Sequence, residues 1–261
     1  MSLRLETDGV IARLLFDRPE KRNAMTQDMW AALPRLVDRA MQDMQVKVLV
    51  LTSTTPGLFC AGADIGEFAD HSSSEDWRIA NQAAIRASHA ALAHAPKPVI
   101  AAIDGDCVGG GCGLAMACDI RIAAPRARLG ITPGKLGIVY SLFDTRLLVD
   151  LVGPGQAKRL LFSATLVDAA EALRIGLVEE LAEDPLARAL GLAETIAANA
   201  QHSVRASKTI VRRILDGQTD DDSETLALFR DAFAREEFAE RVAAFGNRRA
   251  PKGNPGEDAT S

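Results

Sequence analysis

Three consecutive glycines, Gly109, Gly110 and Gly111, stand between an apolar run at 99–103 and a small apolar segment at 114–117. That pattern reads as a buried strand turning into a buried helix. The first N–H groups of a helix have no partner within it and carry partial positive charge. Glycine lets another group come close to them. An anion, or a carbonyl oxygen becoming one, would be stabilised there. Tight packing of helix on strand asks for the same residues, so spacing alone leaves both readings open. A second stretch, Phe59-Cys60-Ala61-Gly62-Ala63-Asp64-Ile65, ends a strand and loop in small residues. If the Ala63 N–H points to the same place as that of Gly110, the two form an oxyanion hole. Each donor of such a hole is worth about 3–4 kcal/mol at the transition state. The glycines do not follow the dinucleotide-binding G-x-G-x-x-G spacing, and no phosphate-binding G-x-x-x-x-G-K-[ST] loop occurs.

The elements that must carry these loops alternate. Residues 3–7 and 10–16 flank Asp8-Gly9, a strong hairpin signal. Thr26 caps a helix to about residue 44, with Met29, Trp30, Leu33, Leu36, Val37 and Met41 on one side. Residues 46–52 form a strand, 53–58 a loop, 75–95 a helix and 120–124 a further strand. Residues 128–130 form a short strand, 132–137 a loop and 141–151 a helix. Gly153-Pro154 starts another helix over 157–162, and Asp168 caps 169–174, which Gly176 stops. Residues 177–181 are strand-like. Beyond 184 the chain reads as helices over 185–199, 203–216 and 223–245. Phe229, Phe233 and Phe238 share the last of these, as core or as an interface. Residues 252–261 form a polar tail, predicted disordered. Alternating strands and helices over the first ~180 residues predict an α/β core.

With 261 residues, 48% hydrophobic and 25% charged, the composition is that of an ordinary soluble domain. The net charge of -5 and the lack of a basic block argue against nucleic acid as a main partner. No apolar run approaches the ~20 residues of a membrane span, and the N-terminus lacks a signal-peptide core. Cys60, Cys107, Cys112 and Cys118 form no C-x-x-C and read as buried free thiols of a reducing cytoplasm. His71, His89, His94 and His202 make no metal-ligand pattern.

FCAGADI (59–65) together with KPVIAAIDGDCVGGGCGLAMACDIRIA (97–123) resembles the enoyl-CoA hydratase/isomerase, or crotonase, superfamily. DRPEKRNAM (17–25), GPGQAKRLLFSATLVDAAEALRIGLVEEL (153–181) and AFGNRRAP (244–251) extend the resemblance from about residue 3 to 251. It implies an α/β spiral of strand–strand–helix repeats over 1–200 and a C-terminal helical region over 201–250 that builds trimers or dimers of trimers. It implies acyl-CoA thioester substrates, with coenzyme A as part of the substrate and no further cofactor. By motif, the Ala63 and Gly110 N–H groups hold the thioester oxygen. Ala61, Ala63, Asp64 and Ile65 line the coenzyme A path, and Lys21 or Arg22 lies near its phosphates. Asp64 also suits a turn, and the two basic residues also suit a solvated loop.

The chain departs from the pattern at two points. The family's hydratases carry one catalytic glutamate after the glycines, where this chain has Gly113, and another where it has Pro133. Neither residue here can move a proton, and each such group is worth about 10²–10⁴-fold. Efficient hydration is therefore disfavoured. So is isomerisation that relies on the second glutamate. Thr132, Tyr140, Ser141 and Asp144 fall on the loop and first helical turn lining the family's acyl pocket. Thr132 and Tyr140 resemble the arrangement in the superfamily's acyl-CoA decarboxylases, where loss of CO₂ forms the enolate without a base. Each has a plainer role available: Thr132 in backbone capping, Tyr140 in lining the pocket, Asp144 as a helix first-turn carboxylate. Glu67 is a further candidate acid on a loop after Ile65. A family member that binds acyl-CoA without turning it over is the alternative.

Overall fold

The computed structural model describes residues 2–249. β1 (Leu3–Asp8) and β2 (Ile11–Phe16) form the antiparallel hairpin around Asp8-Gly9, with Gly9 at φ 56°. α1 (Gln27–Gln42) starts at Thr26, whose hydroxyl accepts the Met29 N–H at 3.3 Å, and buries Met29, Trp30, Leu33 and Val37. The chain then repeats one unit three times. The first turn is β3 (Val48–Ser53), β4 (Leu58–Cys60), α2 (Ile65–His71) and α3 (Glu75–Ala93). The second is β5 (Val99–Ile103), β6 (Asp106–Val108) and α4 (Gly110–Ala117). The third is β7 (Ile120–Ala123), β8 (Arg128–Gly130), α5 (Pro133–Leu136) and α6 (Leu142–Ser163). β9 (Val167–Asp168), α7 (Ala169–Arg174), β10 (Glu180–Leu181) and α8 (Pro185–Ala197) follow.

The first strand of each turn enters a six-stranded sheet in the order β1-β2-β3-β5-β7-β10, and the second enters a four-stranded sheet, β4-β6-β8-β9. From β2 onward the larger sheet is parallel. This is the strand–strand–helix spiral that the resemblance implies. β5 is buried along its whole length, and β3 except at its last residue. That fits a parallel sheet covered on both faces. Ala189 and Ala193 of α8 pack with Val48, Val50, Ile100 and Ala102 on one face. Trp30 and Leu33 join Leu49, Leu51 and Ala101 in the main core.

The structure differs from the sequence-based expectation in several short elements. Residues 58–60, 106–108 and 167–168 pair as strands, and 65–71 is a helix rather than a loop. α4 begins at Gly110, not at residue 114, and 133–136 makes one helical turn. The two helices expected over 141–162 are both present within α6, separated by the non-helical Gly153 (φ 74°, ψ 164°).

The chain divides into two compact units, one through Lys208 and one from Thr209. α9 (Gln201–Leu215) is followed by α10 (Ser223–Phe233) and α11 (Glu236–Arg249). The single helix expected over 223–245 is thus two, because Ala234 closes α10. Phe229 and Phe233 meet edge-on within α10 at 5.1 Å, and Phe233 meets Phe238 edge-on across the break at 5.0 Å. The polar tail foreseen at 252–261 lies outside the described residues. Among the described residues, no helix is long and apolar enough to cross a membrane, and no cluster of potential metal ligands occurs. All four cysteines are free and buried. Burial pushes the Cys60 and Cys118 thiols up to about 12.

Candidate active site

β6 delivers the chain to Gly109, whose N–H donates to the Gly130 carbonyl at 2.8 Å. Gly109 then takes φ 55°, ψ -123°, a conformation that needs glycine, and α4 starts at Gly110. The Gly110 N–H, on the first residue of a helix, has no intrahelical acceptor. The second loop arrives alongside. Met25 bridges it in parallel, donating to the Gly62 carbonyl (2.7 Å) and accepting the Asp64 N–H (2.9 Å). In that ladder the Ala63 N–H faces away from Met25. A Cβ on Gly62 would lie 3.1 Å from the Gly110 nitrogen, and one on Gly110 would lie 3.8 Å from the Ala63 nitrogen. The backbones that sequence reasoning could only suspect of meeting are therefore side by side. The absence of side chains at 62 and 110 is what lets them approach.

Asp64 is the N-cap of α2, accepting the Gly66 N–H at 2.9 Å, and it also accepts from the Arg18 guanidinium at 2.6 Å. The Arg18 hydrogen bond holds its carboxyl below the usual range, against the opposing effect of burial. Its folded-state pKa is depressed, so its contribution to stability is present above the unfolded value of about 3.9. That contribution is lost as pH falls through the folded value. Asp64→Asn keeps a good cap but removes the ion pair. The variant is expected to melt at a lower temperature than the parent at pH 7, and the gap should close as thermal scans are taken below about pH 4.

Glu67 is not on a loop. It lies in the first turn of α2 and accepts the Gln27 N–H at the start of α1, at 2.7 Å. Ala61 donates its N–H to the Arg22 carbonyl at 3.0 Å, and Ile65 is exposed. Lys21 and Arg22 are exposed at the end of a single 3-10 turn. Arg22 pairs with Asp106 at 2.5 Å, and Arg128 shares that carboxylate at 2.7 Å. The cluster therefore keeps an excess positive charge.

Thr132 precedes α5, two residues after the Gly130 that Gly109 bonds, and its side chain caps nothing. Residues 134–139 are exposed, and the chain turns inward again at Tyr140. The Tyr140 hydroxyl is buried with no hydrogen-bond partner among the described residues. Burial pushes its pKa well above the ordinary value, and Cys112, Asp144 and Cys107 add to the shift.

Asp144 lies in the first turn of α6, where the Ser141 hydroxyl accepts its N–H at 3.1 Å. Its side chain also makes a contact that sequence reasoning missed. Oδ1 is 2.7 Å from Nδ1 of His89 on α3, and Oδ2 accepts the Ser141 hydroxyl at 2.8 Å. Burial raises the Asp144 carboxyl, but the His89 hydrogen bond and charge, Ser141 and Arg86 outweigh it and bring it below the ordinary value. His89 packs edge-on against Trp30, with ring centroids 5.6 Å apart. A Cβ on Gly113 would come within 2.6 Å of its ring. The imidazole thus fills the space that a side chain at 113 would enter.

A profile of the enoyl-CoA hydratase/isomerase family matches residues 6–254. An enoyl-CoA hydratase/isomerase family protein from Hyphomonas neptunium superposes with a TM-score of 0.92 at 43% identity, over 95% of this chain and 96% of that one. The short-chain-enoyl-CoA hydratase of Clostridium acetobutylicum is 35% identical over 258 residues, 95% of this chain and 96% of its own. Human mitochondrial methylglutaconyl-CoA hydratase is 33% identical over 257 residues, 95% of this chain and 74% of its own. Fold and sequence together define a crotonase-type α/β spiral. The chain belongs to the enoyl-CoA hydratase/isomerase family.

Proposed function

We propose that this protein acts on an acyl-CoA thioester, holding the thioester oxygen between the Ala63 and Gly110 N–H groups while an enolate forms. The observation that carries this reading is the contact between those two backbones, with the Gly110 N–H at a helix start. As a bond at the α- or β-carbon breaks, charge moves onto the thioester oxygen. Fixed N–H dipoles stabilise that charge without reorganising. Ala61, Asp64 and Ile65 flank the coenzyme A path, and the excess charge of the Lys21, Arg22, Arg128 and Asp106 cluster suits its phosphates.

Gly113 and Pro133 leave no carboxylate at the two places where the family's hydratases carry one. Decarboxylation or another lyase or isomerase step therefore fits this site better than hydration of a plain enoyl-CoA. Tyr140, an inward hydroxyl with no partner among the described residues, suits orienting an acyl carboxylate or protonating an enolate, and Thr132 lies on the same loop. The same two positions favour one alternative, a relative that binds acyl-CoA without chemistry. The exposed Phe229, Phe233 and Phe238 suit a trimer or a dimer of trimers, and four buried free thiols suit a reducing cytoplasm.

Saturated, enoyl and malonyl-type CoA thioesters incubated with the protein in deuterated water separate these readings. Enzyme-dependent α-deuterium uptake or CO₂ release supports turnover. Tight binding with neither, across the panel, leaves a binding protein. Tyr140→Phe is expected to lower kcat, by about 10²-fold where the hydroxyl itself moves the proton and by less where it only orients the acyl group. Its melting temperature should not fall, because the hydroxyl removed has no partner to orphan. An unchanged kcat would remove Tyr140 from the mechanism.

A further inference from the structure

We propose that His89 is the proton-transfer residue of this site, with Asp144 positioning it and Ser141 holding Asp144. The proposal rests on the reading above, that an enolate forms at the Ala63 and Gly110 amides. The histidine and aspartate side chains are 2% and 9% exposed. An ionised carboxylate only accepts hydrogen bonds, so the proton between the two sits on Nδ1, and in the neutral imidazole the Nε2 lone pair is free. Nε2 is buried and has no hydrogen-bond partner among the described residues. An orphaned buried nitrogen is costly and uncommon.

The position of this nitrogen relates it to the oxyanion site. Nε2 lies 2.8 Å from where a side chain on Gly113 would begin. Gly113 is three residues along α4 from Gly110, about one helical turn, or roughly 5 Å. Where side chains would begin, the Trp30 indole edge lies against Gly110 and the His89 ring against Gly113, so the imidazole stands at the place where the family's hydratases carry a glutamate. A thioester whose oxygen sits at the Gly110 N–H has its α-carbon within about one helical turn of the residue that Nε2 packs against.

The step balances. The α-carbon–hydrogen bond breaks, and its electron pair becomes the enolate, with the negative charge on the thioester oxygen. The proton ends on Nε2, and the resulting imidazolium is paired with Asp144. Reversal returns a proton, or a solvent deuteron acquired by Nε2, to carbon. An enolate formed by loss of CO₂ would take its proton from the same nitrogen, and Tyr140 would be left to orient the acyl group.

The test uses the full chain with acetoacetyl-CoA, whose α-hydrogens are acidic, and with the thioester from the panel that the parent turns over. His89→Asn keeps an amide that can donate to Asp144 but has no Nε2. It is expected to lose about 10²-fold or more in exchange or turnover rate, with thioester affinity within about threefold of the parent. Asp144→Asn should lower kcat by at least about tenfold with little change in KM, a split that a merely structural role would not give. Rates for His89→Asn within threefold of the parent overturn the proposal and leave the oxyanion reading standing. A parent that neither exchanges nor releases CO₂ with any thioester overturns both. If the variants do not fold, ¹⁵N-histidine spectra of the parent decide. The His89 Nε2 resonance should shift on saturation with acetoacetyl-CoA, and an unmoved Nε2 resonance overturns the proposal.

Discussion

Gly110→Pro is expected to lower kcat by about 10²–10³-fold, the loss found when one donor of an oxyanion hole is removed. The substitution deletes the N–H itself, at the first residue of α4, where a helix tolerates proline. A Cβ at this position would come within 2.9 Å of Cζ2 and 3.1 Å of Cη2 of Trp30, the far edge of the indole. The substitution is therefore best made with Trp30→Phe and compared with Trp30→Phe alone. Turnover and thioester affinity on the two proteins check the result. Equal kcat values would mean that Gly110 does not hold the developing charge.

The second large effect is on stability. A Cβ on Gly111 would lie 2.4 Å from the Cys60 carbonyl oxygen and 2.8 Å from its Cβ. Backbone cannot swing aside as a flexible side chain can, so β4 and α4 must part. Gly111→Ala is expected to cost about 3 kcal/mol or more, the upper range for overpacking. That corresponds to a fall in melting temperature of roughly 6–12 °C for a chain of this size. Moving Cys60 also moves Ala63 three residues on, so thioester affinity should fall with stability. Gly191→Ala serves as the contrast. It lies in α8 with nothing within 4 Å of the added carbon, and should gain roughly 0.5–1 kcal/mol by restricting the unfolded chain. Thermal melts of the three proteins check both signs.

Much of the fold is legible where local chemistry is strong. Asp8-Gly9 marks the hairpin, Thr26 and Asp168 cap α1 and α7, and the apolar runs of β3 and β5 announce buried strands. The two- and three-residue strands β4, β6 and β9 are too short to show a period, and they exist because the second sheet collects them. The break between α10 and α11 has no glycine or proline to announce it. For the site, the glycine triplet points to a helix start, and only the chain's return past Met25 brings Ala63 beside it. The His89–Asp144 pair was invisible for another reason. The partners are 55 residues apart, and each has an ordinary local explanation, an apolar helix face for one and a first-turn carboxylate for the other.

The four buried sulfurs give the folded chain an inbuilt clock. With Cys60 and Cys118 titrating near 12, the reactive thiolate is scarce at neutral pH while the fold holds. Alkylating reagents therefore count the moments when the spiral opens, since every one of these sulfurs lies inside it and none on a frayed end.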